Sequence, residues 1–165
     1  MVEDEKFNRK RNRIKDFDYS GFYSYFITIC TSNKQPYFTN EDIIKEIIID
    51  LEREANNRNF KVFAYCFMPD HLHLLLIGEE NSKLIDFIKI FKQKTGYSFK
   101  QKTKSPLWQK SYYDHVLRKK EDLNKISEYI FNNPVRKNMV RDFREYPYSG
   151  SLMFSLDDFY KNPAF

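Results

Sequence analysis

The sequence predicts an α+β sandwich of the ferredoxin-like, RNA-recognition-like kind. It would be a four-stranded antiparallel sheet with helices on one face and a last, C-terminal helix beyond it. Three observations lead there. Apolar periodicity switches between strand-like and helix-like along the chain in the order β-α-β-β-α-β-α. Only the second and third strands are close enough for a hairpin, which is the connectivity of a split β-α-β sandwich. At 165 residues, 41% hydrophobic and 31% charged, the chain suits one domain with a sizeable core.

The elements follow in order. Tyr23 to Cys30 is aromatic and β-branched and reads as a strand. Thr31 to Asn40 is a loop containing Pro36. Glu41 to Asn57 carries Ile43, Ile44, Ile47, Ile48 and Leu51 at helical spacing behind Thr39 or Asn40 as cap. Phe60 to Phe67 is a second strand, Pro69-Asp70 a turn, and His71 to Ile77 a returning third strand. Ser82 to about Lys100 is a helix with Leu84, Ile85, Ile88 and Phe91 on its apolar stripe. Tyr112 to Arg118 reads as a fourth strand, and Glu121 to about Asn132 as a third helix. Around this domain, residues 19–145, lie a basic arm (1–18, with Arg9, Lys10, Arg11, Arg13 and Lys15) and a Pro/Tyr-punctuated tail (146–165) that packs on it or extends from it.

Composition narrows the function. Only 4 Gly argue against a Gly-rich phosphate loop, and the sequence has neither a P-loop nor a dinucleotide fingerprint. No apolar run approaches a bilayer span and the charged N-terminus is not signal-like, so no membrane is expected. Cys30 and Cys66 fall on strands without metal spacing and read as buried free thiols in a reducing cytoplasm. Between Lys83 and Lys120, eleven Lys/Arg face only Asp86 and Asp114, an excess of +9 in a chain whose net charge is +5. Phe91, Tyr97, Phe99, Trp108, Tyr112 and Tyr113 are interleaved with those cations. Such a segment suits nucleic acid; a solvated helix face over core aromatics is the plainer alternative.

The pentad Pro69-Asp70-His71-Leu72-His73 holds two of the three histidines, one residue apart on a strand. Both imidazoles leave one face while Leu72 and Leu74 leave the other. Two neutral imidazoles side by side begin a divalent-metal site, zinc included, or form a structural pair. On the third helix Leu123, Ile126 and Ile130 define the buried stripe, and Tyr129 and Asn133 lie on one flank, four residues apart. By themselves, Tyr129 is equally a core-edge tyrosine, and Asn133, which precedes Pro134, equally a C-cap.

The segments YCFMPDHLHLLL, WQKSYYDHVLR and YIFNNPVRKNMV, in this order and spacing, resemble the REP-associated tyrosine transposases. These are a branch of the single-tyrosine HUH transposases of bacterial insertion sequences. The resemblance spans roughly Phe22 to Val140. It implies a metal-dependent endonuclease and strand transferase that acts on single-stranded DNA near hairpins through a covalent phosphotyrosine. His71, His73 and Asn133 would then be metal ligands and Tyr129, on a catalytic helix, the nucleophile. It further implies Mg²⁺ or Mn²⁺ as cofactor and a cytoplasmic, nucleoid-associated protein. A monomer is expected, though the wider family also forms dimers.

Around that site, Asp70 and His115 are candidates for supporting the ligands, with turn capping and packing as their plainer roles. Lys89, Lys92, Lys94, Lys100, Lys102, Lys104, Trp108, Lys110 and Arg118 are the candidate DNA contacts, Trp108 as a stacking platform or a core residue. An ordinary phenol is only about a thousandth ionised at pH 7, a handicap of roughly 4 kcal/mol. A metal polarising the phosphate offsets several kcal/mol. Two other readings stand beside this one. In one, a metal-dependent nuclease uses water; in the other, the chain is a non-catalytic single-strand binder. The binder should show exposed aromatics on the sheet face where this chain has histidines.

Overall fold

Antiparallel pairing builds one sheet in which the first strand and the hairpin's return strand lie at the centre. The computed structural model describes residues 13–118 and 123–161. Its strands are β1 (Ser24–Cys30), β2 (Phe60–Met68), β3 (His71–Gly78), β4 (Tyr113–Val116) and β5 (Ser149–Gly150), in the order β4-β1-β3-β2-β5. The helices are α1 (Glu41–Asn57), α2 (Leu84–Thr103), α3 (Leu123–Phe131), α4 (Asn133–Arg136) and α5 (Leu156–Lys161). Among the described residues, no helix is long and apolar enough to cross a membrane.

The expected sandwich is present, with one strand more than the four anticipated. The fifth is two residues of the tail that pair with Tyr65 and Cys66 on the open edge of β2. A strand of that length has no periodicity to betray it. The start of the third helix at Glu121, the arm residues Arg9, Lys10 and Arg11, and the last four tail residues lie outside the described residues. Elsewhere the ends move by a few residues. Asn40, not Thr39, caps α1 by accepting from the backbone of Asp42 and Ile43 at 3.0 and 3.2 Å. The α2 helix runs on to Thr103 and stops at Lys104, which is left-handed at φ 62°.

Both faces of the sheet are covered. Tyr25, Ile27, Ile29, Leu72, Leu74 and Leu76 point to one side, where α1 and α2 close the larger core through Ile44, Leu51, Phe87, Ile88 and Phe91. Phe26, Ala64, Cys66 and Leu75 point to the other, where Ile130 and Phe131 of α3 cover them. The β2 strand faces both cores, and its register shifts between Val62 and Ala64. The bulge gives Phe63 and Ala64 the same face, so Cys66 and Met68 end up beside the histidines. The face that carries His71 and His73 is therefore taken by the last long helix.

Candidate active site

Strand register sets the site. Cys30, His71 and Met68 share one row across the sheet, and Tyr113, Thr28, His73 and Cys66 the next. His73 is 7% exposed; His71 is half-buried at the rim. The two Nε2 atoms are 3.1 Å apart. Each Nδ1 has its own partner: His71 bonds the Asp70 carboxylate at 2.6 Å and His73 the Thr28 hydroxyl at 2.9 Å. Phe26 stacks on the His73 ring at 5.4 Å.

These partners decide where the protons sit. A carboxylate can only accept, so His71 donates from Nδ1 and its Nε2 carries a lone pair. Thr28 can donate or accept, so His73 can adopt either tautomer. In one, Thr28 donates to Nδ1 and the His73 Nε2–H donates to His71. In the other, His73 donates to Thr28 and two lone pairs face each other. That second state calls for a cation between them. Burial pushes the His73 imidazole well below its ordinary pKa, helped by the His71 and Arg136 charges. Burial lowers His71 too, against the pull of Asp70 and with Lys34 and Lys137 adding to it. Both rings are thus kept neutral, as metal ligands must be.

Tyr129 reaches this spot from α3. Its ring centre lies 6.4 Å from that of His73 and 6.0 Å, edge to face, from Phe26. The residue is 36% exposed, so one side of the phenol is open to an incoming group. The Arg136 guanidinium caps the ring at 4.5 Å. Asn133 sits one turn further on, 5% exposed. Pro134 has no N–H for the Ile130 carbonyl, which breaks the helix between α3 and α4. The Asn133 amide nitrogen stands in, donating to the Tyr129 carbonyl at 3.0 Å and towards that of Ile130 at 3.5 Å. Its oxygen is left as the end that can accept or ligate.

The donor set fits a divalent ion. Two ligands at right angles on bonds of about 2.1 Å sit about 3.0 Å apart, close to the Nε2 spacing observed. No group of three His, Cys, Asp or Glu suited to a metal occurs among the described residues. The imidazole pair is weak alone and leaves positions for substrate oxygen and water.

The other predicted residues are placed less uniformly. Asp70 is bonded to His71 through its carboxylate. Its carbonyl also accepts from the Thr31 backbone and hydroxyl at 2.9 and 3.0 Å. His115 pairs with Phe26, on the histidine face but two strands from His73, on the order of 10 Å away. Trp108 packs between Phe38 and Phe91 and donates to Thr95 at 2.8 Å, as a core-edge residue of the opposite face. The α2 lysines also belong to that opposite layer. Lys94 and Lys102 are ion-paired with Glu54 and Glu46 of α1. Lys92 donates to the carbonyls of Gln109 and Lys110, and Lys104 to that of Gln101. Lys89, Lys100, Lys110 and the 68% exposed Tyr97 line an open groove of about 690 Å³ there. Arg118 lies exposed just beyond β4. Thr28, Phe26 and Arg136 escape a reading of the sequence. The first two reach His73 through strand register, and only the seven-residue spacing of Arg136 from Tyr129 hints at a shared helical face.

Comparison with known proteins supplies the context. The family model described as Transposase IS200 like matches residues 21–133. A Haemophilus influenzae protein whose name places it among the REP-associated tyrosine transposases is 29% identical over 150 residues, covering 84% of each chain. The REP-associated tyrosine transposase of Escherichia coli K12 is 24% identical over 129 residues, covering 76% of this chain and 74% of its own. A solved REP-associated tyrosine transposase bound to a REP hairpin superposes with a TM-score of 0.72 at 16% identity, covering 94% and 88% of the two chains.

Proposed function

The chain belongs to the family of IS200-like transposases, and on that premise we propose that it cuts and rejoins single-stranded DNA beside hairpins through Tyr129. The observation that carries this reading is the approach of the Tyr129 ring to His73, 6.4 Å between centres, beside a converging imidazole pair. The hairpin is proposed because one similar protein was solved with a REP hairpin bound.

The Tyr129 oxygen attacks the scissile phosphorus and the phenol proton leaves to solvent. The bond to the sugar oxygen breaks, and that oxygen takes up a proton as a free hydroxyl. A phosphotyrosine remains on the other DNA end. Phenol is a far better leaving group than a sugar alkoxide, so a second DNA hydroxyl can attack the same phosphorus and release Tyr129. His71, His73 and the Asn133 oxygen would hold Mg²⁺ or Mn²⁺, which when bound polarises the phosphate. Asp70 and Thr28 orient the two imidazoles for that task. Lys89, Lys100 and Lys110, which line the groove beside α2, and Arg118 beyond β4 would bind DNA away from the reacting phosphate.

The test is an end-labelled, hairpin-forming oligonucleotide from the encoding genome, incubated with the protein and Mn²⁺ and run on a denaturing gel. A protein–DNA adduct that disappears in Tyr129→Phe is the expected result. Cleaved fragments without an adduct would mean that water attacks, and retention without cleavage would mean a binder. His71→Ala should lose cleavage and keep hairpin affinity.

A further inference from the structure

The cations that face the imidazole pair are not those of the basic segment. Lys34 lies on the short turn Ser32–Lys34 that follows β1. That turn is tied to the histidine strand because Thr31, just before it, bonds the Asp70 carbonyl through both its backbone and its hydroxyl. Arg136 and Lys137 leave the end of α4, where the Lys137 N–H donates to the Asn133 carbonyl at 3.0 Å. The Arg136 guanidinium carbon lies 4.5 Å from the centre of the Tyr129 ring. All three side chains are exposed. Among the described residues no carboxylate pairs with any of them, whereas Lys94 and Lys102 on α2 are each held by a glutamate. Asp70 is the carboxylate bonded at the imidazole pair, and it is already engaged by His71.

We propose that Lys34, Arg136 and Lys137 form a phosphate-gripping site that seats the backbone of a single DNA strand across Tyr129 and the imidazole pair. This rests on the DNA reading above. The two segments flank the pair from different elements, as a strand passing over it requires. Cations without a carboxylate partner repel one another, and arriving phosphates relieve that repulsion. A guanidinium lying on the nucleophile's ring also restrains the ring and can bond a phosphate oxygen beside it.

The experiment reads charge, not chemistry. Binding of a fluorescent single-stranded dT20 is followed against salt with EDTA present, so that no cleavage occurs. Each phosphate contact on a single strand contributes about 0.7 to the slope of log affinity against log salt. The triple variant K34Q/R136Q/K137Q should lower that slope by about 2, and each single variant by about 0.7. Between 50 and 200 mM salt, wild type should therefore lose about 20-fold more affinity than the triple variant. The control K45Q/K61Q/K161Q removes equal charge elsewhere and should leave the slope unchanged. An unchanged slope in the triple variant, or an equal fall in the control, overturns the proposal. The adduct assay is separate: absence of an adduct with an intact slope effect sinks the Tyr129 mechanism and not this site.

Discussion

At the scale of single residues, the site is a problem of proton placement. His73 is buried between Phe26 and α3 and bonded at Nδ1 by Thr28, so it folds neutral. The unfolded chain exposes an ordinary imidazole of pKa 6.5. Below that pH the unfolded state binds a proton that the folded state refuses, so its share of stability is complete above pH 6.5 and drains away as pH falls. With chelator present, the melting temperature of the wild type should drop more steeply between pH 7.5 and 5.5 than that of His73→Gln. Equal slopes in the two proteins would show that His73 is not held neutral. The pairing of His71 with His73 was legible from alternation along one strand. The Thr28 bond was not, because it joins residues 45 apart in sequence through a register that only the folded sheet defines.

At the scale of elements, α2 shows why a basic run is an ambiguous signal. Its lysine-rich face was read as a DNA surface, yet Lys94 reaches across to α1 and bonds the Glu54 carboxylate at 2.5 Å. Burial alone would raise the pKa of Glu54, which is wholly enclosed, but Lys94, Arg58 and Arg53 hold it below the usual carboxylate range. Removing the cation leaves a buried charge short of a partner, whereas removing the charge leaves lysines that water can solvate. Lys94→Met should therefore cost about 1–3 kcal/mol in urea unfolding, and Glu54→Gln less. A larger loss in Glu54→Gln would reverse this assignment. Strands and helices with a full period were readable in the sequence. The β2 bulge and β5 were not, since each departs from a periodic pattern over only one or two residues.

At the scale of the molecule, the sheet separates two cores of unequal size, and Tyr129 rides on the smaller. Ile130 and Phe131, the residues after Tyr129, anchor α3 to the sheet, and the tail closes that core from outside. Tyr146 donates to the Phe67 carbonyl at 2.5 Å, the Phe67 N–H returns a bond to Tyr148 at 2.8 Å, and Phe159 packs edge-on against Phe131 at 5.6 Å. Residues 146–161 therefore complete the fold on which Tyr129 depends, although their sequence reads as a punctuated tail. Truncating a buried phenylalanine costs about 3–5 kcal/mol. At roughly 2–4 °C per kcal/mol for a chain of this size, Phe159→Ala should lower the melting temperature by on the order of 10 °C. A chain ending at residue 145 should lose more, because β2 regains an open edge and the outer side of Phe131 meets water. As α3 loosens, adduct formation should fail at a lower temperature than dT20 binding in Phe159→Ala. A 1–145 chain that melts within a few degrees of the full-length protein would show that the second core closes without its tail.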